Sequence, residues 1–261
     1  MGSATSQARA GIDEALRAQP QAGLEDAREL FRASRAIERS PQVLSALADS
    51  VSTPDARAAL AERVLGQLGS ATVSIVAHLA RQRWSSADDI LTAIDSAGIR
   101  VAVQAAGNAD VAGEIASFQR IVASDPELEL ALGGLRGSGD DKARLVERLL
   151  AGKSSDAAAT ILEHLVRTPR GRRIGALLRG AATEVASAAG RSLATVTTAR
   201  EIPAGQLDRL RVGLEQQYGR SLQLQQIVDP AVLGGLRVAI GDDIIDGTVR
   251  SKFTDLRLKL G

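Results

Sequence analysis

The sequence predicts a mainly α protein: a duplicated N-terminal helical bundle followed by a small C-terminal α/β module. Three observations predict it. Aromatic residues are only 2% of the 261-residue chain while hydrophobic residues are 44%, so Ala and Leu must fill the core, which favours packed helices over a β-sandwich. A shift of about 85 residues aligns much of the first 190 residues with itself. Near Gly190 the helical spacing of apolar residues gives way to β-branched and alternating segments.

The repeat aligns 27–65 with 112–150. Glu29 meets Glu114, Arg35 meets Arg120, Pro41 meets Pro126, Asp55 meets Asp140 and Leu65 meets Leu150. One inserted residue moves the offset to 86, after which Ile75, His78, Leu79 and Arg81 meet Ile161, His164, Leu165 and Arg167. The alignment runs through turns as well as helices, as a duplication does and shared alanine-rich composition does not.

The elements follow in order. A helix at about 5–18 carries Ile12 and Leu16. A long helix at about 23–39 sets Leu24, Ala27, Phe31 and Ile37 near one face. Ser40-Pro41 ends it and starts a short helix, and Thr53-Pro54-Asp55 opens the next with an N-cap, a first-position proline and a first-turn acid. Asp125-Pro126 and Ser138-Gly139-Asp140 stand at the matching places in the second copy. Residues 86–107 are helical and serve both copies, closing the first and opening the second, and 171–189 close the second. Beyond Gly190, Leu193–Thr198 reads as a strand and 204–218 as a helix with Leu207, Leu210, Leu214 and Tyr218 on one stripe. Ser221–Val228 reads as a strand with Leu222, Leu224 and Val228 on one face, and Leu236, Val238 and Ile240 alternate in another. A short extended piece at Ile244-Ile245 leads to Asp246-Gly247-Thr248. That turn caps a last helix with Val249, Phe253, Leu256 and Leu260 at helical spacing. The expected domains are 1–105, 106–190 and 191–261.

Composition excludes several functions. The chain has no cysteine, which removes disulfides, thiolate metal sites and a Cys nucleophile, and two histidines leave little for a His-based metal centre. A net charge of +1 supplies no global field for nucleic acid or an anionic membrane. The N-terminus lacks a basic region followed by an apolar stretch, so no signal peptide is expected, and no apolar run is long enough to span a bilayer.

The remaining polar motifs read mainly as structural. Gly152-Lys153-Ser154 resembles the end of a phosphate-binding loop, but position 147 is Glu where that loop needs glycine, and a helix precedes it. Gly152 fits a helix C-cap instead. His78 and His164 occupy equivalent places beside apolar stripes. Arg167, Arg170, Arg172 and Arg173 form the densest basic cluster, read as a solvated or partner-facing helix junction in preference to a phosphate contact. Asp242, Asp243 and Asp246 sit beside glycines, as solvated turn formers do. Gly234-Gly235, opening a strand, demand positive φ or a close backbone approach.

That last feature carries a resemblance. The run from Leu222 through Asp229, Val232, Gly234, Gly235 and Gly241, continued by Ile245-Asp246-Gly247-Thr248-Val249-Arg250, resembles the C-terminal signature of the ATP synthase delta subunit family, which includes the mitochondrial oligomycin-sensitivity-conferring protein. Ala239 stands where the family usually places a polar residue. Asp125-Pro126-Glu127-Leu128 and Ser138-Gly139-Asp140-Asp141-Lys142 resemble its helical-domain junctions. The extra unit resembles the long actinobacterial form, unfused to a membrane-anchored stalk subunit.

The resemblance implies a non-catalytic part of the F-type, proton-transporting ATP synthase. It would join the F1 head to the peripheral stalk as a stator element and couple proton translocation to ATP synthesis. The implied partners are the N-terminal helices of the alpha subunits and the b subunit of the stalk, with no cofactor, metal, nucleic acid or direct membrane insertion. The implied location is peripheral, on the cytoplasmic side of the cell membrane. Family-motif residues are Asp229, Gly234, Gly235, Gly241, Asp246 and Gly247, and the expected core of the stalk-binding module includes Val249, Phe253, Leu256 and Leu260. The alternatives left by the residues alone are a helical nucleic-acid-binding adaptor using the arginines at 167–173 and a small hydrolase or transferase using the acids at 242–246.

Overall fold

The computed structural model describes residues 3–134, 137–190, 192–219, 221–232, 234–240 and 243–248. They divide into two compact units, 1–185 and 186–261. The elements bear out the expected fold class, with helices throughout the first part and a four-stranded mixed sheet near the C-terminus.

The helices are α1 (Ser3–Arg17), α2 (Leu24–Glu38), α3 (Pro41–Ala48), α4 (Pro54–Leu65), α5 (Ser70–Arg81), α6 (Ala87–Ala105), α7 (Val111–Ser124), α8 (Pro126–Gly133), α9 (Gly139–Leu150), α10 (Asp156–Arg167) and α11 (Ile174–Ala188). Helices α3 and α8 and helices α4 and α9 begin and end 85 residues apart, and α5 and α10 are 86 apart. The local chemistry repeats with them. Thr53 Oγ1 accepts from the Ala56 amide, and Ser138 Oγ accepts from the Asp141 amide, so both fourth helices start on a side-chain cap. Glu29 accepts the Gly69 amide at 2.6 Å, and Glu114 accepts the Ser155 amide at 3.1 Å, fixing the start of the fifth helix against the second. Arg81 pairs with Asp55 as Arg167 pairs with Asp140.

A buried cation holds the same turn in each copy. Arg57, 3% exposed, donates to the carbonyls of Ala80, Asp49, Ser52, Arg81 and Gln82. These carbonyls lie around the end of α3 and the end of α5, where helix geometry leaves acceptors unfilled. Lys142 takes the matching place and donates to the Gly134 carbonyl at 2.6 Å. The fork of Arg reaches several acceptors where the ammonium of Lys reaches this one.

Helix α6 is the shared wall. It packs against α1, α2, α3 and α5 and also against α10. Ile90, Leu91, Ile94, Ala97, Val101 and Ala102 are buried on it, which requires apolar residues around more than one face. Each buried Leu or Ile side chain contributes about 1.5–3 kcal/mol.

The second unit contains β1 (Ser192–Thr198), α12 (Ala204–Tyr218), β2 (Leu222–Val228), β3 (Leu236–Ile240) and β4 (Asp243–Asp246). The sheet order is β2-β1-β3-β4; β1 is parallel to β2 and antiparallel to β3, and β3 is antiparallel to β4. A parallel pair needs a crossover, and α12 supplies it. Ala194, Val196, Leu214, Leu222, Val238 and Ile240 form the core, with Leu210, Tyr218 and Leu224 packed against it. Strand β2 departs from the simple alternation: Gln225 is buried and Val228 is 49% exposed. Val228 ends an edge strand, next to the Asp229–Val232 turn, and lies outside the core set by α12. The last helix expected over Val249, Phe253, Leu256 and Leu260 lies outside the described residues, as does Gly241.

Candidate partner-binding site

In the first unit the two copies meet where α2 packs on α10. Phe31 of α2 stacks on His164 of α10, with ring centroids 4.1 Å apart and planes 8° apart. Arg35 Nη1 lies 3.3 Å from His164 Nδ1, and Asp95 Oδ1 lies 2.9 Å from His164 Nε2. A guanidinium can only donate, so Nδ1 accepts and the ring carries its proton on Nε2, donating to Asp95. The His164 side chain is 2% exposed.

Arg170 completes this cluster. It donates to Asp95 at 2.5 Å, to Ser34 at 2.9 Å and to Glu38 at 3.1 Å. Its φ is +44°, left-handed backbone that non-glycine residues seldom adopt, and three hydrogen bonds hold it there. Burial opposes the charge of Asp95, but His164, Arg170 and Ser34 outweigh it and hold the carboxyl down to about 2. Burial lowers Arg35, and the nearby Arg167 and Arg39 lower it further. The cluster thus ties α2, α6, α10 and the α10–α11 junction together.

Beside this cluster lies a cleft of about 590 Å³ between α2 and the α9–α10 region. Arg28, Arg32 and Arg35 line one wall, spaced to fall on one stripe of α2. Asp140, Glu147, Asp156 and Glu163 lie on the other together with Arg167, which pairs with Asp140 and Glu163, and Phe31, Leu150 and Ala151 are among the apolar lining. Arg28 and Arg32 pair within their own helix, with Glu25 and Glu29. Among the described residues, no ion pair crosses the cleft from an α2 arginine to an α9–α10 acid.

The sequence-derived candidates fall elsewhere. In the second unit Gly234 and Gly235 have φ of +145° and +80°. A Cβ on Gly235 would lie 2.3 Å from the Gly247 carbonyl oxygen and 2.9 Å from Thr248 Cα. Gly247 in turn donates to the Leu236 carbonyl at 2.9 Å. Asp246 Oδ1 accepts from the Thr248 amide and hydroxyl, which holds its carboxyl below the usual range. Asp229 Oδ1 accepts from the Ala231 amide, and its own amide donates to Thr198. These motif residues shape the turns around β3 and β4.

Gly152 has φ +68°, as a residue just past a helix end requires. The arginine cluster, expected as a solvated or partner-facing junction, is divided: Arg170 points inward to Asp95, while Arg167 pairs with Asp140 and Glu163. Asp95, Ser34 and Glu38 escaped the sequence reading because their partner arrives from 75 or more residues away. A single polar residue on a helix carries no signal of that partner.

The description of the ATP synthase delta (OSCP) subunit family matches residues 95–260. The chain is similar to the ATP synthase subunit delta of Leifsonia xyli, at 44% identity over 262 residues, covering 100% of this chain and 99% of that one. It is similar to the ATP synthase subunit delta of Streptomyces griseus at 36% identity, covering 88% of this chain and 86% of that one. A chain in the mitochondrial ATP synthase hexamer of Toxoplasma gondii is 17% identical, with a TM-score of 0.35, covering 57% of this chain and 84% of that one. The match begins within α6 and runs through the second unit, and the full-length relatives extend it over the first copy. The chain belongs to the ATP synthase delta (OSCP) subunit family.

Proposed function

We propose that the chain is a non-catalytic connector of the F-type ATP synthase, with its two compact units serving as two separate grips. The helical unit holds the N-terminal helices of the alpha subunits, and the C-terminal module holds the b subunit of the peripheral stalk. The working division is 1–105 and 106–190 for the two helical copies and 191–261 for the module. The place of action is the cytoplasmic face of the cell membrane, reached through these partners. Among the described residues no helix is long and apolar enough to cross a bilayer.

The observation that carries this reading is that one chain of the family has two units, each with its own apolar core. A stator must stay bound while the rotor delivers torque. Nanomolar binding corresponds to about 12 kcal/mol, more than a few exposed ion pairs at roughly 0–1 kcal/mol each provide. Buried helix contacts with a polar rim supply such binding.

Phe253→Ala in the full chain tests the division. Binding to the peripheral stalk is expected to be lost and binding to the catalytic head retained, both measured on the same variant. Equal loss of both, or unchanged stalk binding, contradicts it. Lys153→Ala checks the absence of catalysis: stoichiometric ATP binding to the wild-type chain, lost in this variant, would contradict a connector without nucleotide chemistry.

A further inference from the structure

The chain has two histidines, and the repeat places them at equivalent positions, His78 on α5 and His164 on α10. Each meets a carboxylate from the helix that opens its own copy. In the second copy Asp95 of α6 lies 2.9 Å from His164 Nε2, a closed pair. In the first copy Glu14 of α1 lies 3.7 Å from His78 Nε2, beyond hydrogen-bond distance. That nitrogen is buried and has no hydrogen-bond partner among the described residues.

The seam between α1 and α5 fixes what can serve it. The two helices run antiparallel: Gly11 approaches Gln82, Glu14 faces His78, and Gln19 donates to Ser74 Oγ at 3.0 Å. A Cβ on Gly11 would come within 3.1 Å of the Gln82 side chain, so the helices are close there, and Ile12 and Ala15 of α1 are buried. Charged groups that reach α5 from the other helices packed on it meet different residues. Glu29 of α2 takes the Gly69 amide, Asp55 of α4 takes Arg81, and Arg57 of α4 takes carbonyls at the end of α5. From α6, Arg100 turns to Asp13 of α1 and to Glu184. Glu14 is the one carboxylate that the described residues bring up to His78. The His78 side chain is 24% exposed and that of Glu14 is 70% exposed, so the ring is held while the carboxylate can swing.

A neutral imidazole has one N–H. With the proton on Nδ1, Nε2 turns a lone pair towards a carboxylate; with the proton on Nε2, the donor stops short of it. A second proton makes both nitrogens donors and gives the ring a charge that draws Glu14 in. Imidazole is the side chain that makes this change between about pH 5 and 8. We propose that His78 and Glu14 form a proton-operated clasp between α1 and α5, open when His78 is neutral and closed when it is protonated. The pair in the second copy stands closed, with Asp95 also fixed by Arg170. The hold on α1 is therefore strongest at the acid end of this range and weakens as pH rises. The clasp does not depend on which partner the helical unit holds.

Amide hydrogen exchange of the full chain at about pH 8 and about pH 5.5 tests it. Each rate is divided by the intrinsic rate at that pH, and protection at residues 11–17 is compared with protection in α6. On going to the lower pH the α1 value should rise about two- to fivefold relative to α6, as a part-exposed ion pair gives. Glu14→Gln and His78→Gln should each abolish the rise. Glu14 is exposed, so Glu14→Gln keeps the test valid if His78→Gln does not fold. Asp13→Asn removes the neighbouring carboxylate, which pairs with Arg100; it should lower α1 protection at both pH values and keep the rise. No rise in the wild-type chain overturns the clasp, as does a rise that persists in Glu14→Gln. Loss of the rise in Asp13→Asn would also overturn it, because the effect would then belong to the net charge of α1.

Discussion

Phe31 and His164 lie face to face across the junction of the two copies, 4.1 Å between ring centroids. The repeat places Ala116 opposite Phe31 and His78 opposite His164, so the stack has no counterpart within either copy. Beneath it the imidazole bridges Arg35 and Asp95, and Asp95 anchors Arg170. The copies therefore share a polar joint.

Asp95→Asn removes the anion that faces buried Arg170. Arg170 keeps Glu38 as a partner, so the loss is expected to stay below the about 3–5 kcal/mol that a buried charge left wholly unpaired costs. Urea unfolding of the full chain should show that loss in the transition reported by the helical unit, with the transition of the C-terminal module unmoved.

Acid should weaken the same joint. Asp95 is lowered from 3.8 to about 2 in the folded chain. Its stabilising contribution, about 2 kcal/mol for a shift of that size, is complete above about pH 4 and is lost as pH falls through about 2. Asp141 and Asp246 are also lowered, by hydrogen bonds from Ser138 and Thr248, and act in the same direction. Stability measured from pH 5 to pH 2 should fall, and the slope should be shallower in Asp95→Asn.

Arg57 and Lys142 offer a comparison between copies. Arg57→Leu leaves five carbonyls without their donor, and Lys142→Leu leaves one among the described residues. Hydrogen bonds from charged donors contribute about 1.5–3 kcal/mol each. Thermal unfolding should show a drop of at least about 3 kcal/mol for Arg57→Leu and a smaller one for Lys142→Leu.

Gly235→Ala should disrupt the C-terminal module. The new methyl meets the Gly247 backbone, which cannot swing aside as a flexible side chain would, and φ is +80°. Gly152→Ala also has positive φ but open space around it, so it should cost about 1 kcal/mol. Hydrogen exchange should show β3 and β4 amides losing protection in Gly235→Ala, with α1–α10 unchanged.

Helix boundaries were legible because capping is local: Thr53-Pro54 and Ser138-Gly139 announce their helices within four residues. The C-terminal strands were legible from alternation, except at β2, where an edge position relaxes it and Gln225 is buried in place of Val228. Gly234-Gly235 signalled a close approach, but its other party, Gly247, emerges only once β3 and β4 pair. The cleft and the polar joint were not legible. Their residues come from four helices, and Arg28 or Asp156 alone is indistinguishable from an ordinary solvated charge.

The shared position of α6 makes the two copies unequal under truncation. Removing residues up to Ser86 would leave α6–α11, a set of six helices with both an opening and a closing member. Cutting the chain after Ser86 would strand α1–α5 without the helix that α1, α2, α3 and α5 all pack on. The earlier copy thus depends on a helix that the later copy keeps, while its removal would uncover the α6 face that α1, α2, α3 and α5 cover. By the same geometry the chain could be lengthened by another 85-residue step, as solenoids grow, with each new segment needing just one existing helix as its foundation.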